Sequence, residues 1–277
     1  PGKPATPKPI AGFDTASATA SATKDKPFEN SLGMRFVPVP ITGGPTDGQR
    51  VLFSIWETRV EDFEAFIRRN RERQWPEPAF KQRGDHPAVM LEWEDAVAFC
   101  EWLTEEDRNK GKIGKNEKYR LPTEREWNLA VGIGKDIYPW GNSYPPPEDA
   151  GNYYGEETKR NPYEDGEKGG PIEGFDDGFD RTAPVGSFPA NVYGLYDMGG
   201  NVWEYCEGVY RAGTTMRLSL GGGWDGRKEI HARTACRRGS ATNRGNDDGF
   251  RCVLVTTTPA RQTPPTPIPV ADPVEAL

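Results

Sequence analysis

Between residues 27 and 132 the apolar positions change period several times, and each change marks an element. GMRFVPVP (33–40) and RVLFSIWETRV (50–60) are short runs rich in β-branched and aromatic residues, and they predict two strands. Thr58 opens a Thr-Arg-Val-Glu box that Glu61 closes, and Phe63, Phe66 and Ile67 follow at helical spacing, so a helix is expected near 59–72. Ala96, Phe99, Cys100 and Leu103 fall at i, i+3, i+4 and i+7 and predict a second helix over 94–106. A third begins in LPTEREW, where Thr123 is the cap and Glu126 completes the box. Beyond 132 the periodicity fades: 140–186 is rich in Gly, Asn, Asp and Pro, and strands reappear only at 217–220 and 250–255. There is no internal repeat.

Composition narrows this picture. The 277 residues suffice for one large domain or two small ones. With 32 Gly and 26 Pro, turns and irregular segments should outweigh long regular elements, while eight Trp supply bulk for the core. Residues 1–26 and 257–277 are Pro-, Thr- and Ala-rich and too poor in apolar groups to offset chain entropy. They are expected to be a disordered linker and a Pro-rich disordered tail around a domain at 27–256, an arrangement that suits a module of a larger protein. The net charge of −7 argues against nucleic-acid binding, and no run approaches the apolar length of a membrane span. Neither an initiator Met nor a secretory apolar region stands at the start.

Charge is unevenly distributed. Residues 144–180 hold eleven acids and three bases, whereas 217–251 hold seven Arg and one Lys against four acids. An acidic loop of that length needs an organiser. Calcium takes six to eight oxygens, and two stretches offer them: the loop ending Asp176-Asp177-Gly178-Phe179, and Asp197 to Glu204 around a Gly-rich turn. Solvated acidic loops are the plainer alternative. The four cysteines, Cys100, Cys206, Cys236 and Cys252, allow three pairings in an oxidising compartment or four buried thiols in a reducing one. Two His, no HExxH, no GxSxG and no phosphate loop leave the common hydrolytic and nucleotide chemistries without residues.

Six strings in order carry a resemblance: HPAVMLEWEDAVAFCEWL (86–103), YRLPTEREWNLA (119–130), YPWGN (138–142), DGFDRTAPVGSFPANVYGLYDMGGNVWEYC (177–206), LSLGGGW (218–224) and DGFRCVL (248–254). Together they resemble the formylglycine-generating-enzyme, or sulfatase-modifying-factor, family over about 27–256. The resemblance implies an α+β, loop-rich, C-type-lectin-like fold with little regular structure and structural calcium. Matching positions would place one calcium site on Asn152, Tyr153, Asp177 and Phe179, and another on Asp197, Gly200, Val202 and Glu204. Tyr153, Phe179, Gly200 and Val202 would offer only backbone carbonyls. It also implies a disulfide between Cys100 and Cys252. The usual bridge to Cys236 is lost, because its partner position holds Val131.

Catalysis is where the resemblance breaks. The family binds copper through two thiolates shortly after a Gly-rich turn, and copper(I) selects soft sulfur ligands. Here those positions hold Gly226 and His231, so no copper is expected. A related branch that uses three His on iron fails by count. The resemblance assigns the groove to the Arg-rich region, giving Trp224, Asp225, Arg227, His231, Arg233, Arg238, Asn243, Arg244 and Asn246 as ligand-binding candidates. Several of the arginines are equally expected to pair with acids of the 144–180 loop. The functional expectation is a catalytically silent binding or sensor module for a protein, a peptide or a small anionic ligand. The alternatives are an oxidoreductase of the family, with formylglycine or altered oxygen chemistry, and a retroelement-diversified variable receptor. Similar domains attached to bacterial kinases outside the membrane give an extracytoplasmic, periplasmic or secreted, expectation, with the cytoplasm as its alternative.

Overall fold

The computed structural model describes residues 19–132, 137–160, 170–226, 228–240 and 244–257. Two antiparallel-dominated sheets and three helices alternate with long loops, the α+β arrangement that the resemblance implied, with the irregular segments that the Gly and Pro content called for. The strands are β1 (Phe28–Glu29), β2 (Arg35–Pro40), β3 (Arg50–Ser54), β4 (Glu117–Arg120), β5 (Trp203–Val209), β6 (Arg217–Leu220), β7 (Arg237–Ser240), β8 (Asp248–Gly249) and β9 (Val253–Thr256). The helices are α1 (Val60–Arg69), α2 (Trp93–Asn109) and α3 (Glu124–Val131). One sheet runs β1-β2-β3-β9-β4 and the other β7-β6-β5-β8, with β5 and β8 parallel.

The first core lies between the five-stranded sheet and α1 and α2. Phe63, Phe66, Phe99 and Phe250 meet there edge to face or stacked, with centroids 5.4–6.2 Å apart. The second core joins β2, β3, β9, β5, β6 and α3 around Trp127. Trp127 is fully buried, and its indole N–H donates to Glu204 Oε2 at 2.8 Å.

Helix α3 starts as the sequence dictates. Glu126 N donates to Thr123 Oγ1 and Thr123 N to Glu126 Oε2, at 3.2 and 2.9 Å. Helix α1 starts one residue later than expected. Its cap is Arg59, with Asp62 closing the box, because Thr58 is already spent pairing its backbone with Phe250 and Ala88. The segment GMRFVPVP and the start of RVLFSIWETRV form β2 and β3, and 217–220 forms β6.

Two expectations need correction. Cys100 and Cys252 meet across α2 and β9 as the resemblance placed them, but they are not bonded. Both are free, with sulfurs 3.5 Å apart, well beyond the roughly 2.05 Å of a disulfide. Burial holds the Cys100 thiol well above its ordinary pKa, which favours the protonated contact. Secondly, residues 19–26 belong to the folded unit and not to the linker. Ala22 is buried, Arg50 donates to the carbonyls of Thr19 and Ala22, and the Thr19 hydroxyl donates to Glu117. At the other end, Thr257 N donates to Asn116 O at 2.6 Å.

Among the described residues one fully buried cation ties the two sheets together. Arg251, fully buried, donates to both oxygens of Glu204 on β5 at 2.6–2.9 Å. Its remaining N–H groups reach the carbonyls of Ser54, Tyr196 and Asp197 at 3.3, 2.9 and 3.2 Å.

Candidate functional site

The Gly221–Gly226 turn follows β6 and brings the chain back against the loop that precedes β5. Trp224 N donates to Asn201 O at 2.9 Å, and Gly200 N donates to Gly221 O at 3.0 Å. Gly200 is required there: its φ is +79°, and a Cβ would stand 2.5 Å from Asn152 O. Asn201 and Asp197 also have positive φ, at +58° and +54°, so this loop holds backbone strain at two non-glycine positions.

The positions given to the copper thiolates do come together. A Cβ on Gly226 would lie 3.1 Å from His231 Cβ and 3.7 Å from His231 Nδ1. The geometry for a paired ligand survives, but one member has no side chain and the other is an imidazole. Cys236 is half-buried, and burial raises its thiol pKa. The only thiols in mutual contact among the described residues are Cys100 and Cys252, inside the core. The donor set does not fit copper(I).

The ligand candidates do not gather at one place. Trp224 is not an open anchor: it is buried beneath the 75–82 segment, edge-on to Phe80 at 5.6 Å, with Arg181 over its ring at 5.1 Å. Asn246 O accepts from Trp224 Nε1 at 3.2 Å, and Ala79 N donates to Asn246 Oδ1 at 3.4 Å. Arg238 binds both Asp247 and Asp248 and lies over Trp203 at 4.6 Å, with His231 edge-on to the same indole at 6.1 Å. Burial pushes the Asp248 carboxyl up to about 6 against the pull of Arg238. Asp225 is half-buried nearby and contributes to the field that raises Arg238. Arg244 stands apart, on the N-terminal end of α2, where it meets Asp95 at 3.1 Å and Glu92 at 3.4 Å. Arg233 is exposed and pairs with Glu229 at 2.8 Å. Arg227 and Asn243 lie outside the described residues. Among the described residues Arg233, Arg237, Arg238 and Arg244 pair with Glu229, Glu124, Asp247, Asp248, Glu92 and Asp95, which are acids outside the 144–180 loop expected to neutralise them. What sequence reasoning missed is Tyr210 and the β5–β6 hairpin, which carry no motif.

For calcium, the acidic side chains do not gather. No group of three or more His, Cys, Asp or Glu side chains is gathered for a metal among the described residues. Asp177 does draw Tyr153 and Phe179 together, but through their N–H groups, at 2.8 and 2.9 Å, and burial pushes its carboxyl up to about 7. Asn152 turns its amide N–H to Arg181 O and Asn201 Oδ1. Glu204 has the Arg251 guanidinium as its cation, and Asp197 Oδ2 accepts from Gly186 N at 2.7 Å. Val202 and Gly200 hold backbone positions in the same loop, which ends in β5. Asn152 Oδ1 and Asp197 Oδ1 remain buried without a hydrogen-bond partner.

Fold and site together define a formylglycine-generating-enzyme-like scaffold that has kept its frame and lost its sulfur ligands. Residues 21–256 match the Sulfatase-modifying factor enzyme 1-like domain, and the chain belongs to that family. It is 34% identical over 213 residues to the inactive C-alpha-formylglycine-generating enzyme 2 of Bos taurus, covering 74% of this chain and 60% of that protein. It is 37% identical over 138 residues to the formylglycine-generating enzyme of Mus musculus, covering 49% of this chain and 30% of the enzyme. The chain therefore spans about three fifths of the bovine relative's length. In three dimensions it resembles PvdO from Pseudomonas aeruginosa, with a TM-score of 0.61 and 19% identity over 83% of this chain and 99% of that one. It also resembles Treponema denticola variable protein 1, with a TM-score of 0.53 and 20% identity over 79% and 92%. These two likenesses concern the fold alone. Among the described residues, no helix is long and apolar enough to cross a membrane.

Proposed function

We propose that this chain is a non-catalytic member of the family and acts as a binding module on a C-type-lectin-like frame. The observation that carries the reading is the meeting of Gly226 and His231 at the place where the family's thiolates would stand. A glycine cannot ligate through a side chain, and an imidazole is a poor substitute for a thiolate toward copper(I). The bovine relative bearing the word inactive in its name supports the same reading. A frame kept without its metal ligands still offers a surface, and here that surface gathers arginines around Tyr210, side chains of the kinds that dominate protein interfaces. The ligand class that suits it is a protein or peptide, or a small anion, and an extracytoplasmic setting accords with it.

The test is oxygen consumption by the purified chain with copper, a reductant and a cysteine-containing sulfatase-type peptide. The expected rate equals that of buffer, and the peptide keeps its mass. Copper-dependent uptake with conversion of the peptide cysteine to an aldehyde would overturn the reading.

A further inference from the structure

The exposed apolar side chains are not scattered. Among the described residues six large hydrophobics are exposed, and four of them, Ile137, Tyr144, Met216 and Ile230, are tied to the hairpin and the turn that frame one cleft. Val209 and Met216 flank the β5–β6 hairpin, where Tyr210 N donates to Met216 O at 2.8 Å. Ile230, the most exposed of the three at 54%, sits on the short 3-10 turn Glu229–Ala232. Ile137 and Tyr144 are tied to that turn: Thr234 N donates to Ile137 O at 2.9 Å, and Tyr144 packs 5.8 Å from Tyr138, whose hydroxyl donates to Glu229. Isolated exposed apolar residues are ordinary, but a cluster around a concavity marks a contact site.

The concavity is a cleft of about 410 Å³ whose lining includes Tyr210, Arg211, Ile230, Arg233, Cys236 and Arg237. Three of these are arginines, and among the described residues no acid lines it. Arg211 and Arg237 both lie against the Tyr210 ring, at 5.0 and 5.6 Å, which holds their guanidinium planes in place without neutralising their charge. Arg233 and Arg237 have partners in Glu229 and Glu124, but these are surface pairs that a better-placed carboxylate can displace at little cost. Among the described residues no carboxylate pairs with Arg211; its guanidinium makes one hydrogen bond there, a long one to the Tyr210 hydroxyl at 3.5 Å. Gly239 lets Tyr210 and Met216 lie flat on β7, since a Cβ there would come within 2.8 and 2.9 Å of them.

We infer that this cleft, between the β5–β6 hairpin and the 229–237 turn, docks a segment of a partner protein in which carboxylates alternate with apolar side chains. The carboxylates meet Arg211, Arg233 and Arg237, and the apolar groups cover Met216 and Ile230. The inference rests on the binding-module reading and adds the location and the partner's chemistry. A net charge of −7 repels an acidic partner at long range, so attraction is local and confined to about a Debye length of ~8 Å at physiological salt. The same net charge disfavours an anionic membrane, which would meet a broad face of the protein and could not enter a cleft.

A random-peptide phage library panned on the immobilised full chain tests the inference, followed by fluorescence anisotropy with the selected peptide. The expected winners combine Asp or Glu with Leu, Phe or Trp and weaken as salt is raised. Arg211→Glu should reduce affinity at least about tenfold and Ile230→Asp similarly, with both variants melting at the wild-type temperature because both side chains are exposed. Arg211→Lys should retain an intermediate affinity. No enrichment, selection of neutral or basic peptides, undiminished binding by Arg211→Glu, or a preference for phosphatidylglycerol vesicles over peptide would each overturn it. Oxygen consumption is untouched by these variants, so failure here and failure of the non-catalytic reading are read from separate assays.

Discussion

Replacing Arg251 with Met should come close to unfolding the domain, and the reason is the company this side chain keeps. It is fully buried, and its guanidinium is the direct charge partner of Glu204, itself fully buried. Removing one member of a buried pair costs about 3–5 kcal/mol, because the other charge is stranded. Three carbonyls, Ser54, Tyr196 and Asp197, lose a donor as well, each worth about 1 kcal/mol. The sum, roughly 6–8 kcal/mol, lies within the 5–15 kcal/mol that usually separates a native domain from its unfolded chain. Urea unfolding followed by tryptophan fluorescence at low temperature should show Arg251→Met with a midpoint near zero denaturant. A second substitution separates charge from packing. Glu204→Gln keeps an acceptor for Trp127 Nε1 but removes the stranded charge, so the double variant should be more stable than Arg251→Met alone by about 2 kcal/mol or more. Destabilisation by Arg251→Met of less than about 1 kcal/mol would refute the reasoning. So would a double variant less stable than the single.

Other consequences are tested on the same footing. Gly200→Ala introduces a Cβ at positive φ against Asn152 O and should lower stability by about 2 kcal/mol or more, read as a urea midpoint shift with unchanged slope. Burial, reinforced by Asp197 and Glu204, holds the Glu57 carboxyl well above its ordinary value. The unfolded chain therefore releases that proton first, near pH 4, and the contribution of Glu57 to stability declines as pH rises from there toward its native pKa. Glu57→Gln should flatten that decline, measured as melting temperature against pH between about 4 and 7. Denatured without reductant, the chain should titrate four thiols with Ellman's reagent; two would restore the Cys100–Cys252 bond.

Much of this fold could be read from local chemistry. The Thr123 cap, the stripe of α2 and strands β2, β3 and β6 rest on interactions within a few residues, and each formed close to where its pattern put it. Helix α1 slipped by one residue because two distant segments compete for the Thr58 backbone, which no local box records. The family strings placed Gly226 beside His231 and Cys100 beside Cys252. They could not say whether sulfurs in contact are bonded, since that is a matter of oxidation and not of spacing. Trp224 looked like an anchor because Trp in an Arg-rich stretch usually is one. It is covered by Phe80, some 140 residues away in sequence, and burial of that kind leaves no trace near the residue it covers. The cleft beside Tyr210 escaped for a related reason: it is assembled from a hairpin, a 3-10 turn and a strand edge, none of which is conspicuous alone.

Thr19 and Thr257 touch consecutive residues, Glu117 and Asn116, on the same sheet edge. The folded unit thus receives its chain and returns it at one point. Such a unit can be spliced into a surface loop of another protein without prising the host strands apart, and its own ends can be joined by a short linker while new ones are opened elsewhere. A circular permutant cut at the Gly43-Gly44 turn, between β2 and β3, should keep the native fluorescence spectrum and cooperative unfolding.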